Sequence, residues 1–74
     1  MLRTPSGKVA VVDVKKLRER LKMSQPKFAT CFGFNLGTLR KWEQGRSHPD
    51  DAARALLAVI SHSPETVKEA IGAV

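Results

Sequence analysis

The 74-residue chain has no tyrosine, one tryptophan, one cysteine and no long apolar run. Each scarcity excludes something. The longest weakly charged stretch, Ala55 to Pro64, falls far short of the ~20 apolar residues a membrane helix needs. The opening Met1-Leu2-Arg3-Thr4-Pro5 lacks the apolar block of a signal peptide, so the expected location is the cytoplasm and no membrane partner is expected. A single cysteine, Cys31, cannot close an internal disulfide, and no cysteine pair exists to bind zinc. Packing alone must hold this small core together. Cys31 with His48 or His62 falls short of the three or four ligands zinc takes, and Cys31 sits in a predicted helix with no activating neighbour in sequence. Glycine-rich phosphate loops and paired carboxylates are also missing. The sequence thus supports no enzyme, no metal and no cofactor.

What the chain does have is positive charge, unevenly placed. Its net charge is +6, with +7 carried by residues 1–50 and −1 by residues 51–74. Such a balance in a compact domain favours a polyanionic partner. Hydrophobic residues make up 42% and charged residues 27% of the chain, enough apolar content for one folded domain. A core of this size supplies only a few kcal/mol of net stability.

Residues 1–12 read as a short basic arm, flexible or extended. Within it Val9–Val12 is a β-branched run with no second strand in the chain to pair with. From residue 13 to 74 the punctuation predicts five helices. Asp13 caps a first helix with Val14, Leu17 and Leu21 on its inner face. Ser24 caps a second, with Pro26 in its first turn, that runs to about Phe32, and Gly33 supplies a left-handed stop. Asn35 caps a third that continues to Gln44 and halts at Gly45. Asp50 or Asp51 starts a fourth through Ile60, apolar on most sides. Ser63-Pro64 opens a fifth with a capping serine and a first-turn proline, and Val67, Ile71 and Val74 form its apolar face.

The segment from Gln25 to Gln44 fits a helix-turn-helix. In that motif the residue at the helix crossing must be small and the tight turn takes a glycine, and Ala29 and Gly33 meet those needs. Apolar residues belong at the fourth, eighth, tenth, fifteenth and eighteenth places, which are Phe28, Phe32, Phe34, Leu39 and Trp42 counting from Gln25. Their helical spacing makes the aromatics core and not stacking platforms for single strands.

This register turns Leu36, Gly37, Arg40, Lys41 and Gln44 outward on the third helix, the face a major groove would meet. Arg40 and Lys41 suit guanine O6 and N7 or phosphate, Leu36 a thymine methyl, and Gly37 offers only its backbone. Gln25, Lys27, Thr38 and Arg46 are placed to hold phosphates. Lys15, Lys16, Arg20 and Lys22 of the first helix read as a solvated face. Glu43 faces inward beside Trp42 and needs a partner, for which Arg18 of the first helix is the expected one. The apolar residues of helices four and five exceed the visible needs of the core, which suggests a homodimer with its two reading helices ~34 Å apart on DNA.

Ser24-Gln25, Gly33-Phe34-Asn35 and the string from Thr38 to Arg46 followed by Pro49 resemble the lambda-repressor-like (XRE-type) helix-turn-helix domain, over about Asp13 to Ala70. The lead-in from Val12 to Leu21, the Trp42-Glu43-Gln44-Gly45-Arg46 string and the closing run from His62 to Val67 are most similar to HigA-type antitoxins of bacterial toxin-antitoxin operons. The resemblance implies an all-α, compact five-helix fold, a dimer on a palindromic double-stranded operator, repression of its own operon and neutralisation of a RelE/HigB-like ribonuclease toxin. It assigns phosphate contacts to Gln25 and Arg46, base contacts to Leu36, Gly37 and Lys41, and an ion pair to Arg18 and Glu43. Leu36 and Gly37 depart from the polar residues that phage repressors often present there, which shifts weight toward recognition of DNA shape. The alternatives are a stand-alone XRE-type regulator without a toxin, and a protein-interaction module that has lost DNA binding.

Overall fold

In the computed structural model, which describes residues 12–72, five helices follow one another: α1 (Val14–Arg20), α2 (Gln25–Phe32), α3 (Leu36–Glu43), α4 (Asp51–His62) and α5 (Pro64–Gly72). The expected stretch Val9 to Val11 lies outside the described residues, as does Val74. Val12, placed in the arm by sequence, is half-buried and packs against the core.

Short polar side chains begin four of the helices. The side-chain oxygens of Asp13, Ser24, Asn35 and Asp50 accept from the backbone N–H of Lys16 (3.0 Å), Lys27 (3.2 Å), Thr38 (3.0 Å) and Ala53 (2.8 Å). Each satisfies one N–H that the helix cannot, worth about 1 kcal/mol. α5 begins differently, with backbone bonds of Ser63 in place of the side-chain cap expected there. Ser63 closes α4 through its own N–H, donated to Val59 O at 2.7 Å, and its carbonyl accepts from Val67 N–H at 3.3 Å. One residue thus joins two helices through its backbone.

Two boundaries differ from the sequence reading. α3 ends at Glu43, with Gln44 as its C-cap, and α4 continues past Ile60 to His62. The end of α1 departs from expectation in another way. No glycine is available there, and Lys22 takes the left-handed conformation (φ 59°), its N–H donating to Glu19 O at 3.0 Å and that of Met23 to Arg18 O at 3.2 Å. A side chain in that conformation costs about 1–2 kcal/mol. Lys22→Gly should therefore raise stability by about 0.5–1 kcal/mol, a gain of several degrees in Tm. A thermal melt with an unchanged or lower midpoint would contradict this reading.

The core comprises Val14, Leu17, Phe28, Ala29, Phe32, Leu39, Leu57, Ile60 and Val67, drawn from all five helices. α2 packs on both α3 and α5, α4 packs on α5, and α1 lies against α3. Phe28 is central: its ring meets Phe32 edge-on (4.9 Å) and stacks on Phe34 (6.0 Å), and Phe34 in turn meets Trp42 edge-on at 5.3 Å. The aromatic residues therefore hold the α2–α3 turn against α3. Phe34 and Trp42 are half-buried, and Phe28 and Phe32 are fully enclosed.

The surplus of apolar residues expected on α4 and α5 is smaller than the sequence implied. Leu57, Ile60 and Val67 are in the core, and Leu56 and Ile71 pack against it. Among the described residues, Val59 is the large hydrophobic left exposed, at 49%. Arg20 also departs from a purely solvated face. Its guanidinium donates to the carbonyl (3.0 Å) and hydroxyl (3.2 Å) of Ser61, tying the end of α1 to the last turn of α4. No helix among the described residues is long and apolar enough to cross a membrane.

Candidate nucleic-acid interface

The outer face of α3 is set by what its inner face buries. Leu39 is fully enclosed, and Trp42 and Glu43 are mostly covered, which turns Gly37, Arg40, Lys41 and Gln44 to the surface. Lys27 in the first turn of α2 and Arg46 beyond α3 are exposed as well. Leu36 was expected on the same outer face. It is instead half-buried and packs against the core. Thr38 is half-buried too, its N–H engaged by the Asn35 cap.

Two glycines shape this surface. Gly45 has φ 74°, and the left-handed turn lets the Arg46 N–H donate to Lys41 O at 2.9 Å, bringing Arg46 back toward the end of α3. Gly37 matters for space. A Cβ there would stand 3.1 Å from the Asn35 carboxamide oxygen that caps the helix. Its absence spares the cap and lets another molecule approach the backbone closely.

Behind the face lies a charged network. Arg18 donates to Glu43 twice, Nε to Oε2 at 2.7 Å and Nη2 to Oε1 at 2.9 Å, and its Nη1 donates to Met23 O at 3.0 Å. The Glu43 side chain is only 4% exposed. The Arg18 guanidinium, helped by a hydrogen bond from Gln25, holds the Glu43 carboxyl below its usual range despite burial, and Arg18 is raised in return. Gln25 is therefore half-buried and turned inward, with Nε2 on Glu43 Oε1 at 3.2 Å, where sequence had placed it facing phosphate. No spacing rule signals an interaction between residues 18 positions apart on two helices.

The electrostatic result follows directly. Glu43 is the sole acidic residue on α2 and α3, and it is buried and neutralised by Arg18. Lys27, Arg40, Lys41 and Arg46 are left on the surface with no carboxylate among the residues of either helix to offset them. The α2–α3 pair thus presents four exposed cations on or beside it, with the half-buried Gln25 amide at the start of α2.

No family model matches the chain. Among solved structures, an XRE-family-like helix-turn-helix protein from Agrobacterium tumefaciens superposes with a TM-score of 0.79 at 44% sequence identity, covering 82% of this chain and 98% of that one. The chain belongs to the XRE family of helix-turn-helix proteins. The five helices among its described residues form the lambda-repressor-like fold that the resemblance implied. It is also similar to the antitoxin HigA-2 of Vibrio cholerae, 38% identical over 55 residues that make up 74% of this chain and 53% of the relative. This XRE-family chain thus spans about half the length of that curated relative.

Proposed function

We propose that this XRE-family chain is a transcriptional repressor that grips double-stranded DNA with the exposed face of α3. The observation that carries this reading is the set of exposed cations: Arg40 and Lys41 on α3, with Lys27 and Arg46 from the flanking segments, while the one carboxylate of α3 is buried and paired. Lys41 and Gln44 lie toward the base edges of a major groove, with Gly37 allowing close backbone approach. Lys27, Arg40 and Arg46 hold phosphates. With Leu36 turned against the core, contact with a thymine methyl weakens and DNA shape gains weight.

The test is a titration with duplex from the DNA upstream of the gene across a range of salt concentrations. Affinity should fall steeply as salt rises. Lys41→Ala should reduce the preference for that duplex over an unrelated one. Arg46→Ala should weaken both alike and flatten the salt slope by about 1. Two chains should bind each operator, as a two-fold dimer requires, with exposed Val59 of α4 beside Ala52 and Ala55 as the apolar surface available for pairing. One chain per duplex would remove the dimer from the proposal. Absence of binding at low salt would leave the fold as a protein-interaction module.

The likeness to an antitoxin supports a second layer of the same reading, that the regulator controls a toxin-antitoxin operon and neutralises a RelE/HigB-like ribonuclease. Such a protein works in the cytoplasm. Co-purification with the product of the adjacent gene would support this layer, and failure to bind or neutralise it would leave a stand-alone regulator.

A further inference from the structure

Gln25 stands between a buried carboxylate and an exposed guanidinium, and the chemistry of the first dictates how it presents itself to the second. Glu43 is held ionised and carries only acceptors, so the Gln25 amide must offer it the NH2 end, as the 3.2 Å contact to Oε1 shows. The amide oxygen is thereby turned away from the core. It accepts from Arg40 Nε at 3.5 Å. A bond at Nε holds the guanidinium by its inner edge and leaves both terminal nitrogens, with four N–H groups between them, free to donate. It also brings the Arg40 guanidinium beside the start of α2.

We propose that Gln25 is a positioning residue for Arg40, fixed by the Glu43–Arg18 pair behind it, and that Arg40 so held is a phosphate clamp and not a reader of bases. The inference rests on the DNA-binding reading and sharpens it, because it assigns the phosphate contact expected of Gln25 to the arginine that Gln25 orients. A fork held in one orientation is suited to the paired oxygens of a phosphate group. Lys41 is left as the principal cation facing the base edges.

A neutral side chain that acts through a charged one leaves a distinctive signature. Removing one phosphate-neutralising cation flattens the plot of log K against log salt by about 0.9 and weakens binding about eightfold at 0.1 M salt relative to its effect at 1 M. Arg40→Ala should do this. Gln25→Ala, which removes no charge, should produce much of the same flattening, and the double variant should bind within about twofold of Arg40→Ala, since positions acting as one unit are not additive. In the free protein the Arg40 Nε–H resonance should lose its protection from solvent exchange in Gln25→Ala, while the melting curve shows the fold retained.

If Gln25→Ala weakens binding with the slope unchanged, Gln25 touches phosphate itself and the proposal is overturned. Fully additive losses, or no effect on binding, overturn it equally. The unmodified chain is titrated first. If it binds no duplex at low salt, the DNA-binding reading has failed before any variant is compared, and the clamp falls with it.

Discussion

Phe28→Ala should cost about 3–5 kcal/mol, most of the stability a domain of this length possesses. The side chain is fully enclosed and joins three parts of the motif: it meets Phe32 within α2 and stacks on Phe34 of the turn, which in turn packs on Trp42 of α3. Truncation leaves a cavity where α2 meets its neighbours, and a short chain with no disulfide has little to compensate. Far-UV circular dichroism at 25 °C should show a largely unfolded protein or a strongly lowered midpoint. Phe28→Leu, which keeps most of the volume, should lose far less. Equal losses for both would indicate that aromatic geometry, and not filled space, is what the site requires.

Arg18→Ala should be nearly as damaging, at about 3–5 kcal/mol, because it leaves the Glu43 carboxylate buried without its counter-ion. It also releases the Met23 carbonyl that Arg18 holds at 3.0 Å. The pH dependence separates this cause from simple loss of packing. In the native chain Glu43 is lowered, chiefly by its hydrogen bond to Arg18. Its contribution is therefore present above the unfolded value of about 4.3 and is lost as pH falls through the folded value. Arg18, raised, stays charged throughout that window. In Arg18→Ala, burial acts on Glu43 without its main opponent and pushes the carboxyl the other way, so the variant recovers stability on acidification. Urea denaturation should show the gap between the two proteins narrowing from pH 7 to pH 3. A gap of constant size would mean the ion pair is not the source. Replacing both partners together by Met and Leu should cost less than Arg18→Ala alone, since no buried charge remains.

The fold was largely written in the sequence because its signals are local. A cap is one polar side chain one turn from its N–H, so Asp13, Ser24 and Asn35 can be read without knowing what surrounds them, and the start of α4 can be narrowed to Asp50 or Asp51. The scaffold positions from Phe28 to Trp42 obey a spacing that only this motif imposes, so the helix-turn-helix and its outward face were legible too. The inward-facing Glu43 could also be given Arg18 as a partner, because burying a lone carboxylate is costly.

The tertiary structure decided what depends on distant neighbours. Leu36 and Arg40 both belong to the helical face that periodicity turns outward. Leu36 nevertheless packs against the core, and Arg40 donates to an amide at the start of another helix. Lys22 takes a left-handed turn without glycine because α1 must end where the chain leaves for α2. The same holds for α4, whose large apolar residues are taken up by packing from its neighbours except for Val59. In the segment from Gln25 to Gln44, then, sequence determined which residues form the scaffold and that a cationic face must lie opposite it. Three-dimensional packing decided which of those cations are held, and by what, because a hydrogen bond between helices is set by their separation and not by any period along the chain.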